Sequence, residues 1–303
     1  MYYFILHKPR GVLSSRKDGR GLEKKTLYDV IDGNVFPHVG HVGRLDEDTS
    51  GVLLMTDDSL LNMALLSPFF KGNAPPGSVD PVYKVYHLHV AGHYDESADP
   101  VQLMRTPLKC ENGCRDGTDY FTRPAQIRVL RHYSVTQQED EDRGYRWLPH
   151  AGKRTVLEVR IREGKKRQIR RLARRSRLPV RWLHRVQIGD EKDALPLHLR
   201  RSDGSFMEAG ECRWLTPDDV RTLYRRILPC NTAPVARSLL HTALNPHLED
   251  SLSRVVADFV GVVDESYNAA SGHRVPLNEE ALRLPRRPRR KHWRPRRADT
   301  AAN

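Results

Sequence analysis

Residues 43–58 read GRLDEDTSGVLLMTDD, a polar loop followed by an apolar run. Two glycines, Gly43 and Gly51, bracket a polar loop that carries Asp46. The apolar run after the loop is typical of a buried strand, and the two aspartates after that run are candidate helix caps. The pattern therefore predicts a carboxylate on a loop that a core strand anchors. Taken alone, it also fits an ordinary Asp turn between two strands.

The same stretch closely resembles the catalytic motif of the RsuA-like pseudouridine synthases, the RsuA, RluB, RluE and RluF type. That motif is Gly-Arg-Leu-Asp, two residues, Thr or Ser, Ser or Gly, and a leucine-rich run, and the match extends through residues 49–51, TSG. The aspartate is catalytic in that family, so the resemblance implies that Asp46 is a catalytic carboxylate. The neighbouring Arg44 is then placed to hold a phosphate, or to fill the space that the target base vacates when it leaves its stack.

An N-terminal segment, HKPRGVLSS at residues 7–15, resembles the Asn-Lys-Pro-x-Gly-x-x-x-Ser segment that opens the catalytic domain in this family. The resemblance implies that Lys8 and Arg10 face RNA phosphates. As a bare pattern, the segment is a Pro-Gly turn with solvated charges. Because it begins so close to Met1, it predicts a member without the N-terminal S4 domain that many relatives carry.

A strand is predicted at residues 82–92, where apolar and polar side chains alternate. It contains KVY at residues 84–86, which resembles the family's Lys-x-Tyr strand. The resemblance places Tyr86 beside the catalytic aspartate, with Lys84 nearby. Without Asp46 in the chain, Tyr86 would be interpreted as a core aromatic residue.

The third motif, EGKKRQIRR at residues 163–171, resembles the family's Glu-Gly-x-x-x-Gln-Ile-Arg-Arg. In that family the basic residue after Gln-Ile pairs with the catalytic aspartate, and it falls on Arg170. A helix is predicted from Lys165 to Arg177, and its exposed faces carry a dense positive charge that favours a polyanion as partner. The predicted buried side is Ile169, Leu172 and Ala173. The candidate RNA contacts are Arg44, Lys8, Arg10, Lys84, Lys165, Lys166, Arg167, Arg171 and Arg174.

The overall composition agrees with an RNA partner. The net charge is +13, although acidic residues are also plentiful, so the charge has to be interpreted locally. No CxxC pair occurs among the four cysteines, so a zinc site of Cys110 and Cys114 is less favoured than free thiols. His38 and His41 lack a third residue at ligand spacing, so no metal site is predicted. The sequence shows no membrane span and no signal peptide.

The fold class follows from these blocks. The resemblance implies an α+β pseudouridine synthase fold, with a mixed, mainly antiparallel central sheet, flanking helices and a central active-site cleft. It assigns residues 1–228 to the catalytic domain. An apolar helical face predicts a C-terminal helical extension at 229–284, and low complexity predicts a disordered basic tail at 285–303. That tail is expected to bind RNA or, alternatively, to act as a localisation signal.

Several shorter elements are also predicted. A Thr-x-Pro-Ala segment at 122–125 is expected to enter a strand, and the mostly acidic residues 137–144 are expected to form a turn at the tip of a long hairpin. The signature TPDD at 216–219 predicts a helix start. Further predicted elements are helices at 27–31 and 60–66, a loop at 71–81 and a closing strand at 180–190.

The resemblance implies that the chain isomerises a specific uridine in ribosomal RNA. The same reaction on transfer or messenger RNA is one alternative, and a catalytically idle RNA-binding ribosome-assembly factor is another. The reaction has no redox change and no donor group, so no cofactor is expected. We expect a monomer that works on RNA or on an assembling ribosomal particle. Its expected place is inside the cell, in the cytoplasm or in an organelle such as the mitochondrion.

Overall fold

The computed structural model describes residues 2–16, 24–31, 36, 38–66, 82–110, 119–142, 152–189, 195–201, 203–216 and 218–223. The predicted loop at 71–81, the helical extension at 229–284 and the basic tail at 285–303 lie outside the described residues. Within the described ranges, no helix is both long enough and apolar enough to cross a membrane.

The described elements alternate between strands and short helices. In chain order they are β1 (Tyr3–Lys8), α1 (Leu27–Val30), β2 (Gly40–His41), β3 (Ser50–Thr56), α2 (Ser59–Leu65), β4 (Lys84–Ala91), α3 (Asp99–Arg105), β5 (Lys109–Cys110), β6 (Tyr120–Phe121), β7 (Gln126–Ser134), α4 (Gln137–Asp142), β8 (Lys153–Ile161), α5 (Gln168–Arg175), β9 (Val180–Ile188) and β10 (Cys212–Trp214).

One eight-stranded sheet organises these elements, in the order β10-β1-β3-β9-β4-β8-β7, with β2 paired to β3. Strands β3 and β9 pair in parallel, and the other strand pairs described in this sheet are antiparallel. The predicted α+β class with a mixed, mainly antiparallel sheet is therefore confirmed. Strands β5 and β6 form a separate two-stranded ribbon.

The parallel contact between β3 and β9 depends on Gly51. Its φ is +122°, and a Cβ atom there would lie 2.1 Å from the backbone oxygen of Arg185. Glycine is the residue that tolerates both this backbone conformation and such a close approach. The side chain of Arg185 is buried and donates to the Val52 carbonyl oxygen from two nitrogens, at 3.0 and 2.6 Å. The glycine of the central motif thus joins the two halves of the sheet.

Apolar clusters hold the sheet to its helices. One cluster combines residues of β4, β8 and β9 with α3 and α5, and it includes the predicted Ile169, Leu172 and Ala173, which are all buried. A second lies between β1, β3 and α2, and a third packs α1 against the other side chains of β1 and β3. The strands β1 and β3 are buried along their whole length because each of their faces packs against one of these clusters.

Local signals fixed most of the element boundaries. The Thr216 backbone N–H donates to the Asp219 carboxylate at 2.9 Å, and the Asp219 backbone N–H donates to the Thr216 hydroxyl at 3.1 Å. The predicted helix start is therefore confirmed. The predicted start of α5 at Lys165 is three residues too early. Arg167 has a left-handed backbone with φ of +52°, and the turn before it is closed by Gln168, whose backbone N–H donates to the Lys165 carbonyl at 3.0 Å.

Candidate active site

The loop that carries Asp46 lies between β2 and β3 and is held by the segment that follows β1. The backbone N–H of Gly11 donates to the Glu47 carbonyl at 2.7 Å. The Ser14 hydroxyl donates to the Leu45 carbonyl at 2.8 Å and lies 3.1 Å from the Leu45 nitrogen. The residues on both sides of Asp46 are therefore fixed by backbone contacts. The N-terminal motif acts in this structure as a support for the loop.

Lys8 belongs to this support, so its predicted position facing RNA phosphates is wrong. Its side chain is fully buried, and its ammonium donates to the carbonyl oxygens of Pro9 and Thr49, both at 2.9 Å. Burial lowers the pKa of Lys8 to about 7, although the carboxylates of the loop oppose that shift. A buried ammonium that binds two backbone carbonyls positions the loop and is inaccessible to a phosphate.

Helix α5 approaches the loop from the other side and brings two arginines to Asp48. Arg167 donates to both carboxylate oxygens of Asp48, at 3.2 and 3.0 Å. Arg170 donates to the Asp48 carbonyl at 2.7 Å, and its Nε lies 3.4 Å from the Asp48 carboxylate. The resemblance implied that Arg170 pairs with Asp46, and that pairing is not what the structure has. The described ion pair of Asp46 is with Arg167, at 3.8 Å.

The charges in this cluster explain the pKa shifts of its members. Burial tends to raise the pKa of Asp48, but the hydrogen bonds from Arg167 and the charge of Arg170 hold it below its usual value. The hydrogen bond to Asp48 raises the pKa of Arg167, whereas burial lowers the pKa of Arg170. Asp46 keeps about a third of its side chain exposed. Asp46 is therefore a partly exposed carboxylate beside two fixed guanidinium groups, while Glu47, which is similarly exposed, pairs with Lys24 at 2.7 Å.

Tyr86 lies on β4, on the side of the sheet that α5 covers. It is buried, with 8% of its surface exposed, and it belongs to the same apolar cluster as Leu45 and Ile169. Those two residues directly precede Asp46 and Arg170 in the chain. The structure thus brings the strand of the predicted tyrosine to the base of the loop. Burial lowers the pKa of Lys84, at the start of the same strand, to about 8.

The predicted RNA contacts fall into groups that differ in exposure. Lys165 and Arg171 have contacts within the protein: the Lys165 ammonium lies 4.0 Å from the centroid of the Tyr120 ring, and Arg171 donates to the Cys110 sulfur at 3.1 Å. Arg44 lies two residues before Asp46 in the loop, and the Arg167 guanidinium is 3.8 Å from the Asp46 carboxylate, so we call the exposed cations of the loop and of α5 the basic face beside Asp46. The exposed members are Arg44, Lys166, Arg167, Arg171 and Arg174, and the half-buried members are Arg10, Lys84 and Lys165.

Two acidic residues of the site were missed from the sequence. Asp48 anchors both arginines, and only its place between Asp46 and Thr49 hinted at such a role. Glu163 is fully buried; it accepts bonds from the Tyr120 hydroxyl, the Arg123 backbone N–H at 2.7 Å and the Gln168 side chain at 2.7 Å. Glu163 thereby ties the Thr-x-Pro-Ala segment to the start of α5. The sequence signal for Glu163 was that it begins the third motif, but the motif gave no role for this glutamate.

The family model described as RNA pseudouridylate synthase matches residues 2–174. Ribosomal large subunit pseudouridine synthase E of Xanthomonas axonopodis pv. citri is 35% identical over 193 residues, which are 63% of this chain and 88% of the relative. Large subunit synthase B of Bacillus subtilis is 28% identical, with 73% of this chain and 70% of the relative covered. Ribosomal small subunit synthase A of Vibrio cholerae is also 28% identical, with 74% of each chain covered.

Proposed function

Because this chain belongs to the RNA pseudouridylate synthase family, in its RsuA-like branch, we propose that it isomerises a specific uridine of ribosomal RNA with Asp46 as the catalytic carboxylate. The observation that carries the assignment to Asp46 is its position. Of the three acidic residues in this loop, Asp48 is held by two arginines and Glu47 pairs with Lys24 at 2.7 Å, whereas Asp46 is about a third exposed and has its described ion pair at 3.8 Å.

The reaction defines what such a carboxylate does. The bond from ribose C1′ to uracil N1 breaks, the base turns, and a bond from C1′ to C5 forms. C5 loses its proton and N1 takes one up, so the product is an isomer of the substrate. Asp46 attacks C1′ as a nucleophile or stabilises the positive charge that develops there. A fixed, partly exposed carboxylate suits either role because it needs no rearrangement of the loop.

The neighbouring groups take supporting roles in this proposal. The guanidinium of Arg167, 3.8 Å from the Asp46 carboxylate, balances its charge, and Arg170 holds the loop through Asp48. Tyr86 moves a proton late in the reaction or stacks on the turned base. Arg44 is exposed, and it holds a phosphate or fills the vacated space while the base is out of its stack, which costs roughly a few kcal/mol.

Ribosomal RNA is the proposed substrate because the similar relatives are named as ribosomal synthases of the large or the small subunit. The basic face beside Asp46 is suited to a polyanion of any sequence and does not select the RNA by itself. We place the enzyme inside the cell as a monomer that acts on ribosomal RNA or its assembling particle. Residues 1–228 form the proposed catalytic domain, and the extension at 229–284 and the tail at 285–303 are added to it.

The substrate is tested by mapping pseudouridine across all cellular RNA. Cells that lack the gene are complemented with the wild type, with Asp46→Ala, or with Glu47→Gln as a matched control from the same loop. We expect one or a few ribosomal RNA sites to be lost with Asp46→Ala and kept with the other two. Loss of sites only in transfer or messenger RNA would retain the enzyme and reject the ribosomal substrate. A complete set of sites with Asp46→Ala, with the protein bound to ribosomal particles, would favour an idle assembly factor.

A further inference from the structure

Two histidines and an aspartate meet on the protein surface, outside the candidate active site. His93 and Asp95 lie in the connection between β4 and α3, and His132 lies on β7. One potential ligand atom from each lies within 4.8 Å of the other two. The imidazole rings of His93 and His132 stack with centroids 3.7 Å apart, and the Nε2 atom of His93 is 3.8 Å from the Asp95 carboxylate. Two imidazoles and a carboxylate are a common ligand set for zinc and related ions.

The orientation of His132 favours coordination. Its Nε2 atom lies 3.1 Å from the Tyr94 carbonyl oxygen. A carbonyl oxygen only accepts hydrogen bonds, so Nε2 carries the proton and donates it. The other ring nitrogen, Nδ1, then keeps the lone pair that a metal ion requires. Histidines that bind metals usually donate their second nitrogen to such an acceptor, which fixes the tautomer and the ring.

The loop that carries the other two ligands is held rigidly. The Tyr94 backbone N–H donates to the Thr155 hydroxyl at 3.0 Å, and that hydroxyl donates to the Gly92 carbonyl at 2.9 Å. Glu96, just after the cluster, accepts a bond from the Val129 backbone N–H at 3.1 Å. These bonds fasten the loop to β8 and β7 on both sides of His93 and Asp95. Ligands on a fixed loop lose little conformational freedom when they bind an ion.

We propose that His93, Asp95 and His132 form a surface site for one divalent transition-metal ion of the zinc class. Ligand atoms in a tetrahedral zinc site lie about 3.3 Å apart, since the bonds are about 2.0 Å long. The three side chains are exposed, so the two imidazole rings can turn out of their stacked arrangement, with the bond from His132 to the Tyr94 carbonyl kept, until the ligand atoms reach that spacing, and water completes the coordination. The bound ion would link the loop after β4 to β7. The proposed site is independent of the isomerase activity, because the cluster lies at the opposite end of β4 from Lys84.

The test measures zinc binding to the full chain in competition with a chromophoric chelator. It compares the wild type with His93→Ala, Asp95→Asn and His132→Ala, and uses His38→Ala as the control because His38 is an exposed histidine outside the cluster. The control matters because the chain has 14 histidines and 4 cysteines that can bind zinc elsewhere. The melting temperature in EDTA checks that every variant is folded.

We expect the wild type and His38→Ala to bind one equivalent of zinc at this site. His93→Ala and His132→Ala should bind that equivalent at least about tenfold more weakly than the wild type. Asp95→Asn should weaken the same equivalent. Zinc should raise the melting temperature of the wild type and of His38→Ala above that of the cluster variants. Equal zinc affinity and stoichiometry in all five proteins would overturn the proposal. So would the absence of a zinc equivalent in the wild type.

Discussion

Two carboxylates two residues apart in one loop have different surroundings. Asp48 accepts hydrogen bonds from two nitrogens of Arg167 and lies beside the guanidinium of Arg170. Asp46 has one described ion pair, with Arg167 at 3.8 Å. A carboxylate that is saturated with partners is suited to fixing a structure. A carboxylate that keeps an open side is suited to meeting a substrate. We therefore assign the anchor to Asp48 and the chemistry to Asp46.

Asp48→Asn tests the role of the anchor. An amide keeps the shape but loses the charge that holds both arginines, so Asp46 loses its alignment with the ribose. We expect the single-turnover rate of product formation to fall by about 10- to 100-fold, while the Kd for RNA changes much less. Glu47→Gln, from the same loop, should stay near the wild-type rate. A wild-type rate for Asp48→Asn would contradict the assignment.

Lys8 gives a prediction about pH. Its pKa is about 7 in the folded chain and ordinary in the unfolded chain, so the unfolded chain holds more protons between these two values. Stability therefore rises with pH across this window. Urea unfolding should show a gain on the order of 2 kcal/mol from pH 7 to pH 9 that comes from Lys8.

The matched comparison isolates this contribution. Lys8→Met cannot titrate, so its free energy of unfolding should rise less over the same pH range than that of the wild type. Lys24→Met, at a partly exposed lysine paired with Glu47, should keep the wild-type dependence. An unchanged slope in Lys8→Met would show that the buried ammonium does not titrate in this window.

At the residue scale, the sequence predicted which residues lie at the site, but it predicted their individual contacts less well. Asp46, Tyr86 and Arg170 come from three separate motifs, and the fold brings those motifs to one region. The sequence could not show that Lys8 faces inward, because a lysine after a strand is usually solvated. Nor could it show which aspartate Arg170 contacts. Asp46 and Asp48 are only two residues apart, so the choice depends on how α5 packs against the loop.

At the scale of elements, the contact between β3 and β9 depends on Gly51. Gly51→Ala places a Cβ atom against the Arg185 backbone and strains a positive φ. Neither backbone can move without breaking the parallel pair. We expect a loss of about 3 kcal/mol or more in the free energy of unfolding, measured in urea.

Gly164→Ala is the control for this substitution. Nothing lies within 4 Å of a Cβ atom at Gly164, so its stability should stay within about 0.5 kcal/mol of the wild type. If Gly51→Ala were as stable as Gly164→Ala, the close approach of the two strands would not be a requirement of the fold.

Most elements could be predicted because their signals are local. The hairpin of β7 and β8, the strand at β4 and the helix start after Thr216 follow from alternation and caps, although the predicted acidic turn at the hairpin tip contains helix α4. The place of β9 could not be predicted in this way. It is the last long strand among the described residues, yet it lies in the middle of the sheet between β3 and β4. Pairing partners that are distant in sequence are set by the packing of the whole sheet.

At the scale of the whole molecule, positive charge extends beyond the described fold. Residues 285–303 contain eight lysines or arginines and one aspartate, against a net charge of +13 for the chain. Deletion of this tail should weaken RNA binding. It should also reduce the slope of log Kd against log salt by up to about 5, since each phosphate contact contributes about 0.7 for single strands. A salt titration that gives the same slope with and without the tail would reject its role in binding.

A single-turnover assay on the target RNA tests whether Asp46 performs the chemistry. Purified wild type, Asp46→Ala and Glu47→Gln are compared for pseudouridine formed and for RNA bound. We predict that Asp46→Ala forms no detectable product and binds RNA within about twofold of the wild type, because a carboxylate in contact with C1′ acts in the reaction and adds little to binding. Glu47→Gln should match the wild type in both measurements. Product formation by Asp46→Ala at the wild-type rate would show that Asp46 is not the catalytic carboxylate.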